Sequence, residues 1–273
     1  MIKLFKIGTG IFLLSIMYLI AFSSNSYSGE NWDFDLAPYV WFISMSGDVT
    51  VKGQTTQVDA SFSDFLDDMV FAGQIHFEAT RKKGRKFGFW FDGTYAKFES
   101  DGEMGPVSVD VESTLALVEA AFFYNIHKWE LGSSSANGRS SKPNIELDAV
   151  AGLRYWYLDA KLKFGGNGPI GKGGNITGDQ DWLDALVGLR SFINFTDKFR
   201  IMLRTDFAGF GIASSSDLTW VGAVAIGYSI KSWLEPVVGY RALYLDYENG
   251  SGNNRFAMDV WIQNPFVGIN FRF

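Results

Sequence analysis

His76 and Glu78, two residues apart in "QIHFEAT", are a pair whose residue types could do chemistry. In an extended strand, positions i and i+2 share a face, so a carboxylate stands beside an imidazole and could orient it as a general base. A hydrolase would need a nucleophile at the same place, and no Ser or Thr can be tied to the pair by spacing. His76 therefore reads as a member of a charged interior, and no catalytic residue is assigned. The second histidine, His127, falls in a predicted turn and reads as a solvated side chain. Asp64, Asp67 and Asp68 of "FSDFLDD" offer the oxygen donors that Ca²⁺ takes, but their spacing fits no twelve-residue loop. They read as an acidic turn. "GGNGPIGKGGN" has the glycines of a phosphate cradle without its strand-to-helix setting or its G-K-[ST] ending, and reads as a flexible loop. With no cysteine there is no disulfide, no thiolate metal site and no thiol nucleophile. No enzyme, cofactor or metal is expected.

The elements that position these residues follow from composition and periodicity. Of 273 residues, 47% are hydrophobic and 16% aromatic, yet 20% are charged, too aromatic for disorder and too charged for a bundle of membrane helices. A net charge of -6 without a basic cluster argues against a nucleic-acid partner. "MIKLFK", "IGTGIFLLSIMYLIAF" and "SSNSYSG" have the basic, apolar and small-residue regions of an export signal, so residues 1–28 are expected to be a cleaved signal peptide. An uncleaved anchor is the alternative, and residues 29–273 form the single remaining domain.

Beyond Gly29, no apolar run approaches the roughly 20 residues of a spanning helix. The chain alternates instead. In "VVGYRALYLDY", Val238, Tyr240, Ala242 and Tyr244 make one face, while Gly239 and Arg241, with Glu235 before them, make the other. In "DWLDALVGLRSFI", Leu183, Val187 and Leu189 oppose Asp184, Gly188 and Arg190; "IELDAVAGLRYWY" and "KFRIMLRTDF" repeat the scheme, the latter setting Arg200, Arg204 and Asp206 between apolar positions. Period two means strand. Large apolar residues on one face, with lone charges of both signs among small residues on the other, suit a wall that meets lipid outside and is polar inside.

The expected fold is all-β, a transmembrane antiparallel up-and-down barrel. Ten strands are predicted near 33–43, 72–82, 87–98, 113–125, 145–158, 181–194, 199–211, 218–230, 233–247 and 256–273. Eight or twelve remain compatible, because "GDVTVKGQTTQVDA" could pair as a hairpin. "ESDGEMGPVSVD" and "GGNGPIGKGGNITGDQ" read as long surface loops. Trp32, Trp41, Trp129, Trp182, Trp233 and Tyr247 fall near strand ends and read as an aromatic girdle.

The last strand, "NPFVGINFRF", alternates Val267, Ile269, Phe271 and Phe273 and stops on Phe. It resembles the C-terminal signature of bacterial outer-membrane β-barrels; the resemblance implies that Phe271 and Phe273 act as an assembly signal for the barrel-assembly machinery. Residues 33–98, with "FSDFLDD" before "HFEAT", resemble a poorly characterised family of proteobacterial outer-membrane proteins. That likeness implies location and fold, and carries no catalytic residue.

Barrels of about eight strands are filled by side chains, and about sixteen are needed for an open channel. An interior of Arg154, Arg190, Arg204 and Arg241 against Glu78, Asp92, Glu119, Asp148, Asp184, Asp206 and Glu235 is thus expected to form a plug of ion pairs. The function expected is an integral outer-membrane element, in contact with lipid, whose loops present a surface to an unidentified ligand. A narrow cation-preferring channel is the alternative, because acids outnumber bases in that set. A lipid-modifying barrel enzyme is the third reading.

Overall fold

In a computed structural model, which describes residues 31–81, 87–104, 107–132, 142–165 and 175–273, the alternating segments form twelve strands and one short α-helix. The strands are β1 (Trp32–Trp41), β2 (Ser44–Val51), β3 (Gln54–Ala60), β4 (Met69–Arg81), β5 (Phe87–Met104), β6 (Val107–Glu130), β7 (Asn144–Gly165), β8 (Asn175–Asn194), β9 (Phe199–Gly209), β10 (Leu218–Tyr228), β11 (Leu234–Asn249) and β12 (Phe256–Arg272). The helix α1 (Phe62–Asp68) lies between β3 and β4. The proposed signal peptide lies outside the described residues, as does residues 166–174 of the glycine-rich loop.

Ten strands, β1 and β4 to β12, pair with their neighbours in sequence and close antiparallel through β1 and β12. The Phe34 and Phe273 backbones exchange two hydrogen bonds of 2.9 Å across this closure, and their rings stack. β2 and β3 form the hairpin that the sequence left open: β2 continues the path of β1 along β12, from Ser44 opposite Gln263 to Thr50 opposite Ala257. Between them, Phe42 and Ile43 lie opposite Asn264 and Pro265, where Asn264 takes a φ of 153°. β1 and β4 pair only from Trp32 and Arg81 up to Pro38 and Ile75. Pro38 has no N–H to extend that ladder.

The described parts of two of the predicted loops are strand. "ESDGEMGPVSVD" forms the ends of β5 and β6, paired as far as Met104 opposite Val107; β7 and β8 pair as far as Lys163 opposite Asn175. β6 has 24 residues, where a tilted strand needs about 9–11 to cross the hydrocarbon. More than half of it projects beyond the membrane. His127 lies within β6 at an irregularity in its pairing with β7, its ring tilted against Trp129 at a centroid distance of 4.5 Å, and not in a turn.

The side-chain faces divide as a lipid-facing wall requires. Leu153, Leu183, Val187, Leu189, Phe207, Val238 and Tyr240 are exposed on the outside, while the charged positions between them are buried. Inside, the half of the barrel away from Trp32 and Phe273 holds an apolar core built on Trp41, Leu117, Trp156, Trp182, Leu243, Tyr247 and Val260. Trp41, Trp182 and Tyr247 are therefore lumenal and not part of a girdle. Trp182 stacks on Tyr247 at 3.8 Å and on Trp156 at 5.6 Å. Trp129 and Trp233 do stand exposed near the terminal end of the barrel.

Candidate functional site: a layered barrel lumen

Beneath the aromatic stack, a layer of ion pairs spans the lumen. Its centre is a closed ring of four side chains from β6, β7 and β9. Arg154 donates through Nε to Glu119 (2.8 Å) and through Nη2 to Asp206 (2.6 Å), while Arg204 donates to the other oxygens of the same two acids, at 2.9 Å and 2.7 Å. Glu119 accepts a third guanidinium, Arg241, at 3.0 Å. Each carboxylate oxygen in the ring is thus met by a charge-assisted bond, which offsets the cost of removing these ions from water.

Gly188 on β8, opposite Asp206 on β9, gives the ring its room. A Cβ at Gly188 would come within 2.4 Å of both the Asp206 Cβ and the Thr205 carbonyl oxygen. The small residues among the charges thus have a steric role.

From the ring the network runs across the lumen. Arg241 contacts Asp92 at 3.4 Å; Asp92 accepts from Tyr39 Oη at 2.8 Å and lies 3.2 Å from His76 Nδ1; His76 Nε2 lies 3.7 Å from Glu78. Glu78 then meets Arg190 at 2.5 Å, and Arg190 also donates to Asp148 at 3.1 Å. Both ring nitrogens of His76 face carboxylates, so neither is directed at a hydroxyl. Flat rings pack against the guanidiniums: Trp90 under Arg204 at 4.1 Å, Phe123 under Arg190 at 4.2 Å and Trp41 under Arg241 at 4.9 Å. Such stacking suits Arg, which is weakly hydrated and planar.

Asp184 does not join this network. It is fully buried beneath the aromatic stack and accepts from Trp156 Nε1, from the backbone N–H and hydroxyl of Ser216, and from the Thr219 hydroxyl, at 2.8–3.2 Å. Glu235 is also separate: it binds Arg200 at 2.7 Å, Ser229 at 2.8 Å and Arg272, and Arg272 reaches Asp35 at 3.2 Å. This second charged layer lies at the terminal end of the barrel. The sequence expectation omitted Arg200, Arg272 and Asp35, although Arg200 has the strand parity of Arg204.

Between the two charged layers is a chamber of ≈ 180 Å³, reached through a polar vestibule of ≈ 470 Å³ that shares Asp35, Glu78, Arg190, Arg200 and Glu235 with it. The helix α1 starts with a reciprocal cap: the Ser61 side chain accepts from the Asp64 backbone while the Asp64 carboxylate accepts from the Ser61 backbone. Phe62 packs on Phe42 and Phe65 on Phe98. The three acids read from sequence as a turn are thus on a capped helix. Among the described residues, no group of three or more His, Cys, Asp or Glu is arranged to hold a metal.

No protein-family model and no curated protein matches the chain. Solved structures do. The translocator domain of the autotransporter NalP from Neisseria meningitidis aligns over 98% of this chain and 98% of its own, at 12% identity, with a TM-score of 0.50. The outer membrane protease OmpT from Escherichia coli aligns over 92% of this chain and 99% of its own, at 9% identity, with a TM-score of 0.49. Ail, the attachment invasion locus protein of Yersinia pestis, aligns over 89% and 99%, at 11% identity, with a TM-score of 0.36. The likeness is one of fold: the chain has the architecture of bacterial outer-membrane β-barrels.

Proposed function

We propose that the chain is a non-catalytic integral outer-membrane element with a closed lumen, whose projecting strands present an interaction surface. The observation that carries this reading is the double occlusion of the lumen by the aromatic stack and, beneath it, the Arg154–Glu119–Arg204–Asp206 ring, in which Arg154, Glu119 and Asp206 are at most 1% exposed and Arg204 is 9% exposed. The end carrying Trp32 and Phe273 faces the periplasm in this reading, as in barrels with short turns on that side. β5 to β8 then stand on the outer surface.

Planar-bilayer recording of the refolded protein tests the closed lumen. A silent bilayer is the expected result, whereas discrete conductance steps with cation preference would replace this reading with that of a narrow channel.

In the same reading, Phe271 and Phe273 are recognised by the barrel-assembly machinery during insertion. Phe273→Ser then slows insertion in cells more than it slows unassisted refolding into lipid. Equal slowing in both would reduce Phe273 to a partner of Phe34.

A further inference from the structure

β9 and β10 are shorter than the strands on either side of them, and their hairpin leaves a gap in the projecting rim. β8 pairs with β9 only from Leu186 to Asn194, so residues 175–185 of β8 form no ladder on that side. On the far side of the hairpin, β11 pairs with β10 only up to Asp246, opposite Leu218. Inward-facing side chains bridge the gap: Trp182 stacks on Tyr247, and Asn249 Nδ2 donates to Gln180 Oε1 at 3.1 Å. No backbone ladder crosses it among the described residues. β8 thus has a free edge, a row of backbone donors and acceptors suited to one more strand. Proteins blunt such edges with Pro, Lys or a bulge. "NITGDQDWLDA" has no Pro and no Lys, and it pairs with β7 in unbroken register.

The loop of residues 210–217 lies at the floor of this gap, and its tip is apolar, with Ile212 67% exposed. Gly211 N–H donates to the Ser216 carbonyl at 2.9 Å, Ile212 N–H to Ser215 Oγ at 2.9 Å, and Ser216 N–H to Asp184 Oδ1 at 2.8 Å. Phe210 and Ala213 take φ of 71° and 58°, a left-handed backbone that residues with side chains rarely adopt. A pinned and strained loop that holds an isoleucine in water is a feature the closed lumen does not use.

The charges beside the gap select what fits it. Asp179 and Asp181 on β8, Asp217 in the loop and Asp246 on β11 have no Lys or Arg partner among the described residues, while nearby Lys161 is committed to Asp159 at 3.2 Å and Arg255 to Glu248 at 2.8 Å. Asp246 also lies directly opposite another acid, Asp259, an arrangement that costs stability and that an added cation relieves. A second copy of the same edge would set acid against acid, and a lipid phosphate would be repelled. A strand with a basic side chain at every second position would instead place cations beside Asp179 and Asp181, which alternate with the inward Gln180 and Trp182.

We propose that residues 175–185 of β8 are a docking edge for an extended basic segment of a partner protein, which joins the sheet as a strand and rests an apolar side chain on Ile212. The site rests on the reading that the projecting strands stand on the outer surface.

The refolded full-length barrel in zwitterionic micelles is titrated with the fluorescent peptide acetyl-TKVRVKT-amide. The controls are its analogue with Glu at the three basic positions and an N-methylated analogue of unchanged charge. Saturable binding of the basic peptide is expected, with none of the Glu analogue and about tenfold weaker binding after N-methylation. Hydrogen exchange slows at residues 175–185. Asp179→Asn combined with Asp181→Asn weakens binding roughly fivefold, as two exposed ion pairs imply, and Ile212→Ser weakens it as well. These side chains are exposed, so the variants keep the fold.

Absence of saturable binding overturns the site. Equal binding of the N-methylated analogue overturns strand addition, and slowed exchange at β3 in place of β8 overturns the location. The chain has no cysteine, so Thr177→Cys and a membrane-impermeant maleimide on intact cells report exposure separately. Labelling without peptide binding overturns this site alone, and absence of labelling overturns the outer-surface reading on which it rests.

Discussion

Arg154 and Asp206 hold each other at 2.6 Å with 0% and 1% of their side chains exposed, and they reach across β8 from β7 and β9 to do so. The pair links two strands that share no backbone ladder. Removing one member leaves its partners buried and uncompensated, which costs about 3–5 kcal/mol. Arg154→Met is therefore expected to lower stability by that amount in urea unfolding of the refolded barrel. Adding Glu119→Gln to Arg154→Met should restore part of the loss, because it removes one of the stranded charges. A double variant less stable than Arg154→Met alone would show that the ring does not couple these residues.

Trp182 supports the upper occlusion by stacking between Trp156 and Tyr247. Truncating a buried tryptophan costs about 3–5 kcal/mol, so Trp182→Ala should unfold at clearly lower urea concentration. The ion-pair ring beneath it is untouched, and the variant is expected to stay silent in a planar bilayer. Conductance steps in Trp182→Ala would mean that the charged layer does not seal.

Gly188 lies against Asp206, where a Cβ would meet atoms at 2.4 Å. Gly188→Ala should destabilise the barrel by about 1–3 kcal/mol, the range for an overpacked interior, with Asp206 displaced from its arginines. Gly178, whose Cβ would meet nothing within 4 Å, is the control. Gly178→Ala should leave the unfolding midpoint in place, and a similar loss in both variants would count against a steric cause.

Asp64 on α1 is solvated, and its carboxyl is held below the ordinary carboxylate range by hydrogen bonds from the Ser61 side chain and backbone. Because the folded value is the lower one, the cap's contribution is present above the unfolded pKa and is lost as pH falls through the folded pKa. Carboxyl ¹³C NMR titration should place the Asp64 pKa below the ordinary carboxylate range. Ser61→Ala should return it toward the ordinary value, and an unchanged titration would remove Ser61 as the cause.

Much of the wall was legible in the sequence because each transmembrane strand alternates under two constraints at once. Leu183, Val187 and Leu189 must meet lipid, while Asp184 and Arg190 cannot, so parity alone orients β8. The same constraint lapses beyond the bilayer. At the ends of β5 and β6 the alternation fades into the polar residues of "ESDGEMGPVSVD", and the stretch reads as a loop. Trp41, Trp182 and Tyr247 were misplaced because an aromatic residue near a strand end suits either side of the wall; only the strand pairing puts them against one another. α1 is seven residues long, too short for a helical period to show. The chamber could not be read at all: it is a gap between layers contributed by strands far apart in sequence.

The Phe34–Phe273 pairing that closes the wall joins opposite ends of the described chain. The β2–β12 ladder extends the same seam; every other wall ladder joins strands adjacent along the barrel chain, β1 reaching β4 across the inserted hairpin, so each can zip from a nearby turn. The closing ladder has to wait for all of them, since its loop-closure entropy is set by nearly the whole chain. Barrel closure is then the late, slow event of folding. Until it happens, β1 and β12 are two open edges in the same molecule, and the time spent in that state governs whether the chain completes its own cylinder or pairs with a neighbour.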